Sequence, residues 1–267
     1  TRLTRRNAMQ LTLHGSIGAT LATTTAGLLH AADPPTSRTV PAVAGNFEIK
    51  WRRREKQGNS FKLIEETTHW KASETAIIIC DMWADHPCQL AAMRVDRMAP
   101  RMNRVISLAR DHGAVIIHAP SSCIAPYKNH PARKRVLATP RSKNLPKNID
   151  AWCSHIPEED RGKYPIDQSD GGEDDDPAAH KKWAEELKAR GRNPGAPWKS
   201  QTDKLDIHDI DYISDNGSEV WSVLEDRKVE NVILLGVHTN MCVLGRPFGL
   251  RQMARNGKNV VLMRDMT

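Results

Sequence analysis

The chain has 267 residues, 39% hydrophobic and 27% charged, which fits one large globular domain or two small ones. The net charge of +7 suggests a nucleic-acid partner, but Arg2, Arg5 and Arg6 crowd the start and the other cations lie among acids, with no basic stripe interleaved with aromatics. Nucleic acid is therefore not expected as a partner, and no apolar stretch reaches the roughly 18–20 residues of a membrane span.

Residues 1–32 differ from the rest. A basic start is followed by an acid-free segment rich in Ala, Leu, Thr and Gly, ending in Leu29-His30-Ala31-Ala32 before Asp33-Pro34-Pro35. This is the pattern of a cleaved export signal, with the cut near Ala31/Ala32, and Thr4-Arg5-Arg6-Asn7 is similar to a twin-arginine signal. The mature protein is then expected in the periplasm or cell envelope. Residues 33–70 read as a poorly structured lead-in that ends in a charged run over 51–56.

The domain core is expected over 71–267. Thr75–Cys80 is a short continuous apolar run, as in a strand buried on both faces. Residues 97–112 carry helical spacing (Met98, Met102, Val105, Ile106, Ala109) and stop at Gly113. Strands follow over 114–118, 231–236 and 259–263, with helices over 218–227 and 243–256. Alternation of strands and helices predicts an α/β fold with a mostly parallel sheet covered on both sides, a three-layer αβα sandwich.

A polar, proline-rich insertion at about 127–205 interrupts this pattern, with one helix over 177–190 and an acidic run over 167–176 that lacks the ligand spacing of a calcium loop. The five cysteines, Cys80, Cys88, Cys123, Cys153 and Cys242, form no CxxC pair. A structural zinc site is not expected, and the odd count leaves at least one thiol outside any intramolecular disulfide. No metal or cofactor is predicted.

Reactive groups in an open parallel sheet gather beyond the carboxyl ends of its strands. Here those ends carry Asp81, His118 and the segment Gly236-Val-His-Thr-Asn-Met-Cys242-Val243. A cysteine at a helix N-terminus meets free amides and the positive end of the dipole, which favour thiolate. The same amides can stabilise an oxyanion, and a nearby carboxylate can take and return the proton. The alternative for Cys242 is a buried structural thiol.

Ile77-Ile-Ile-Cys-Asp81-Met82 resembles the first-strand signature of the isochorismatase-like cysteine hydrolases, a family that includes nicotinamidase-related amidases. Gly236-Val-His-Thr239-Asn-Met-Cys242-Val243 resembles their nucleophile signature. The resemblance implies an isochorismatase-like hydrolase fold with an Asp-Lys-Cys triad: Cys242 as nucleophile, Asp81 as general base and then acid, and the His238 and Cys242 amides as oxyanion donors. It also implies a cis peptide between Val237 and His238. Cys242 favours an amidase-like reaction on a small amide or related C–N bond.

The chain departs from the family pattern at the lysine. The matching position falls on Asp209, and no lysine stands between Lys204 and Lys228. Lys204 is the candidate, reaching the site through a shifted loop; His208 as a substitute cation, or an incomplete triad, are the alternatives. A cation matters because an ionised aspartate and a thiolate otherwise repel.

Trp83, His118, Thr239 and Arg246 are the candidate substrate-binding residues, with Arg246 and Arg251 suited to a substrate carboxylate. The alternatives are core or lid packing for Trp83, a satisfied core histidine for His118 and a helix-surface position for the two arginines. The Asp-x-His metal signature of nicotinamidases is missing, and Asp85-His86 reads as surface polar residues. The expected partner is a small-molecule substrate, and a homo-oligomer is compatible with the reading. The chain ends at Thr267, soon after the last strand, where family members continue, so the C-terminus is expected to be truncated. Loss of the lysine supports a rival reading: an exported pseudoenzyme or small-molecule-binding protein on the same fold.

Overall fold

The computed structural model describes residues 45–157, 159 and 175–267. The export-signal reading of residues 1–32 and the acidic run up to residue 174 lie outside the described residues.

Phe47, Ile49 and Trp51 alternate with polar residues, and Gly58, at φ 58°, opens a tight turn at Gly58-Asn59. β1 (Asn46–Gln57) and β2 (Ser60–Lys71) accordingly pair antiparallel, Phe47 opposite Trp70 and Gln57 opposite Ser60. This ordered ribbon corrects the expectation of a poorly structured lead-in for residues 46–70; its first part, residues 33–44, lies outside the described residues. The charged run hid the signal, because period-two alternation needs only one face to be apolar. Phe47, Ile49 and Trp70 are buried against the main core.

The main sheet has five strands in the order β5-β4-β3-β6-β7. β3 (Thr75–Cys80), β4 (Val115–Ala119), β5 (Tyr212–Ile213), β6 (Asn231–Gly236) and β7 (Asn259–Leu262) pair in parallel throughout. Every residue of β3 and β6 is buried, since helices cover both faces. Ile77 and Ile79 face one core layer; Ala76, Ile78 and Cys80 face the other. Burying a side chain such as Ile78 contributes roughly 1.5–3 kcal/mol.

α1 (Gln89–Asp111) covers the first face with Val95, Ala99, Met102 and Ile106. It begins well before residue 97, because Cys88 Sγ accepts from the Ala91 amide and the Asp175 carboxylate accepts from the Gln89 and Leu90 amides, at 2.6 and 2.9 Å. A carboxylate at that end also favours the helix dipole. The small residues of the early turns and Pro100 concealed this start.

α2 (Pro131–Ala138), α4 (Gly217–Asp226) and α6 (Leu250–Arg255) contribute Val136, Val220, Leu224 and Met253 to the opposite face. α2 was unpredicted, although Pro131 stands at its first turn, where a missing N–H costs nothing. α3 (Pro177–Ala189) is capped by Asp176, which accepts from the Ala178 and Ala179 amides. The fold is a three-layer αβα sandwich with a parallel sheet.

The helix predicted over 243–256 is two pieces, α5 (Cys242–Gly245) and α6. Pro247 lacks an amide donor and keeps the residue before it out of helical conformation. Arg246 is extended at φ −57°, ψ 156°, and this break aims its side chain.

Candidate active site

Strand ends assemble the site. Gly236 closes β6 at φ 106°, and a Cβ there would lie 2.0 Å from the Cys80 carbonyl oxygen. Only glycine lets the end of β6 lie this close to the end of β3, where the Val237 amide donates to the Cys80 carbonyl at 3.0 Å. Asp81 follows β3 at φ 48°, a left-handed conformation that Asp tolerates better than most residues. Cys242 opens α5 on the neighbouring segment.

Three polar groups meet the buried Asp81 carboxylate. Oδ1 accepts from the Ser121 amide at 2.8 Å. Oδ2 accepts from Arg246 Nε at 3.0 Å. The Cys242 thiol lies beside the same carboxyl group, close enough for the two to interact electrostatically. Burial pushes Asp81 above the usual carboxylate range, and the Arg246 charge offsets only part of that push.

Burial likewise drives the Cys242 thiol up to about 12, with the negative Asp81 adding to the rise and Arg246 opposing it. The expectation that a helix start lowers this pKa is therefore corrected. α5 is a single turn, so its dipole is small, and loss of water outweighs it. Cys242 therefore rests as a thiol and not as a preformed thiolate.

Arg246 takes the place foreseen for a lysine. Its guanidinium lies over the Trp152 ring, 5.5 Å from the centroid, and Trp152 packs so tightly on Gly245 that a Cβ there would come within 2.4 Å of the indole. At 23% side-chain exposure it is the most open member of the cluster; Cys242 keeps 8% of its surface. Arg246 Nε is engaged by Asp81 at 3.0 Å. The sequence signal for this role was Pro247.

Lys204 does not join the cluster. Its ammonium pairs with Asp96 on the exposed side of α1, because Thr202 to Asp206 run along that helix rather than toward the sheet's carboxyl edge. The His208 amide donates to Asp211, so the segment is tied to the core. Of the two readings of His118, the structure fits the core histidine and not the cleft residue. It is fully buried, with Nδ1 3.1 Å from Gln201 Oε1 and Nε2 3.3 Å from Asp211 Oδ2, so it is a core histidine and not a pocket wall.

Trp83 is buried, donates its indole N–H to the Ser121 carbonyl at 3.0 Å and stacks on Trp198 at 4.3 Å. His86 is also buried, contrary to its surface reading, with its ring 5.5 Å from Trp83 and edge-on to His238 at 4.5 Å. Asp85 is also mostly covered, with 14% of its side chain exposed, and pairs with Arg192 at 3.1 Å and Arg190 at 3.4 Å. The Val237–His238 peptide is cis. Thr239 Oγ1 bonds Thr267 Oγ1 at 2.7 Å. Arg251 is buried and pairs with Glu159 at 2.6 Å, which corrects its reading as a substrate ligand. Ser121, Trp152 and Trp198 were not foreseen, since their roles arise from distant pairings.

Fold and site together define an αβα sandwich with a cysteine–carboxylate–guanidinium cluster at the carboxyl edge of its parallel sheet. No protein-family model matches the chain, and no curated protein matches it. Solved structures are similar in part. A cysteine hydrolase from Pseudomonas syringae pv. phaseolicola 1448A is 15% identical, with a TM-score of 0.39 and 73% of each chain covered. An isochorismatase family protein from Burkholderia thailandensis is 13% identical, with a TM-score of 0.37, over 73% of this chain and 79% of that one. Another isochorismatase family protein is 13% identical, with a TM-score of 0.35, over 71% and 77%. Likenesses this distant say nothing of the substrate or reaction of this chain.

Proposed function

We propose that the chain is a cysteine hydrolase acting on a small amide or related C–N bond, with Cys242 as nucleophile, Asp81 as acid and base, and Arg246 as the cation that holds Asp81 ionised. The observation that carries this reading is the buried Asp81 carboxyl group at the end of β3, bonded by Arg246 Nε at 3.0 Å and close enough to the Cys242 thiol for the two to shift each other's proton affinity. The two sequence motifs around Asp81 and Cys242 support it independently.

The thiol lies up at about 12, so its proton leaves as the sulfur attacks. Asp81 takes that proton, and burial, by raising its affinity for protons, makes it a stronger base than a solvated carboxylate. A carbon–sulfur bond forms and the carbonyl oxygen becomes an oxyanion, for which the His238 and Cys242 amides are the candidate donors. Collapse breaks the C–N bond, and the departing amine receives the proton from Asp81. Water then attacks the thioester, Asp81 takes its proton, and the thiol is restored as the acid product leaves.

The test is a panel of small primary amides, with ammonia release followed in solution and the acyl-enzyme sought on Cys242 by mass spectrometry. Cys242→Ser and Asp81→Asn should each abolish both signals in folded protein. Full turnover by Cys242→Ser would end the proposal. The elevated thiol pKa also favours a second reading, a binding protein without turnover; such a protein would bind a ligand saturably in calorimetry, release no ammonia and bind as well after Cys242→Ser.

A further inference from the structure

The distal half of the β1–β2 ribbon lies outside the chemistry above and is exposed along most of its length. Its register sorts the side chains by face. On the face continuing from Phe47 and Ile49, Arg53 pairs with Glu55 and Glu66. The opposite face differs. There Arg52, Arg54 and Lys56 follow one another at every second position, each roughly 7 Å from the next, and none has an ion-pair partner among the described residues. Across the ribbon, Glu65 stands opposite Arg52, Leu63 opposite Arg54 and Phe61 opposite Lys56. Leu63 and Phe61 are large apolar side chains left 48% and 45% exposed.

We infer that this face of the ribbon tip docks on an anionic lipid bilayer, with Phe61 and Leu63 entering the acyl region while Arg54 and Lys56 meet headgroup phosphates. The bilayer surface layers apolar chains beneath negative charge, and the ribbon presents apolar and basic side chains side by side on one face, the arrangement that lets long cations reach outward while their neighbours insert. Charge complementarity comes from Arg54 and Lys56, which stand opposite apolar side chains rather than acids. A single-stranded nucleic acid would need successive aromatic platforms, and this row offers one aromatic beside one aliphatic residue. A two-stranded ribbon is marginal in water on its own, so a surface that covers the tip also steadies it.

The test uses the full chain and its sedimentation with phosphatidylcholine vesicles, with and without added phosphatidylglycerol. Wild type should follow the anionic vesicles, less so at high salt, and not the neutral ones. Each cation near such a surface is worth roughly fivefold in partitioning. Arg54→Glu with Lys56→Glu should therefore lower partitioning by at least roughly 25-fold. Phe61→Ser with Leu63→Ser should lower it roughly tenfold through lost apolar burial. Because the N-terminal segment of the chain is itself basic and partly apolar, a second reading comes from the tip alone. Phe61→Cys carrying an environment-sensitive dye should shift to the blue on adding anionic vesicles. An unshifted dye, or variants that sediment as wild type does, would overturn the inference. So would a tip that instead binds an oligonucleotide, or a second copy of the chain, while ignoring vesicles. Ammonia release by the soluble protein should be the same in all these variants, so the outcome is separate from that of the hydrolase proposal.

Discussion

Replacing Arg246 with glutamine removes the positive charge 3.0 Å from Asp81 Oδ2 while leaving a polar side chain of similar reach. Asp81 is fully enclosed and Arg246 mostly so, so the carboxylate would be left buried and unpaired. Removing one partner of such a pair costs about 3–5 kcal/mol; the part of Arg246 that touches solvent argues for the lower end. About 3 kcal/mol of lost support for ionised Asp81 corresponds to roughly a hundredfold in rate when that ionised form is the base. Arg246 lowers the proton affinity of both Asp81 and Cys242, so its loss raises both further. The acid limb of kcat/KM should move to higher pH, and Cys242 should alkylate more slowly. The assay is iodoacetamide modification of Cys242, followed by mass spectrometry across pH. In wild type the rate should climb about tenfold per pH unit without a plateau near neutrality, because only thiolate reacts and the thiol lies up at about 12. Arg246→Gln should run below wild type at every pH, with Arg246→Lys between them. Alkylation as fast in Arg246→Gln as in wild type would refute the coupling.

Three further outcomes follow from the same geometry. Asp211→Asn should cost about 3–5 kcal/mol in urea unfolding, because the buried Arg110 guanidinium, now held at 2.8 Å by each carboxylate oxygen, would lose its counter-charge. Burial pushes Asp211 and Glu219 up, but His118 and Arg110 for the one, and Arg133 and Ser214 for the other, hold both below the usual carboxylate range. Their stabilisation is therefore complete above an unfolded pKa of roughly 4 and is lost as pH falls through the lower folded values. Thermal scans should show Tm dropping in that acid window, with a smaller acid drop in Asp211→Asn. Gly236→Ala should lose more than roughly 3 kcal/mol, read by the same urea titration, since its methyl would meet the Cys80 carbonyl oxygen at 2.0 Å and its φ is 106°; a loss under roughly 1 kcal/mol would show that the two strand ends have room to part.

Several elements were legible because their signal is local. Thr75–Cys80 and Asn231–Gly236 are continuous apolar runs, and the strands occupy those residues. The ribbon over residues 46–71 was illegible because its stabilising contacts, Phe47 with Ile49 and Trp70 in the core, span long separations while its charged face dominates the composition. β5 is too short, at Tyr212–Ile213, to show any period. The helix after Cys242 was read as one piece because its apolar spacing continues past Pro247, although the proline's missing donor ends it.

The amino-acid order by itself determined the alternation of strands and helices, and with it a parallel sheet covered on both faces, because hydrophobic period and helix stops act over a few residues. It also marked Asp81 and Cys242 as the groups at two strand ends. Which cation meets them was decided only in three dimensions. Lys204 turns to Asp96 and Arg246 to Asp81, since a proline-enforced bend and a supporting Trp152 steer the arginine inward. The tertiary structure also decided that Cys242 rests as a thiol, because its pKa depends on how much water the surrounding layers remove and on the charge packed beside it.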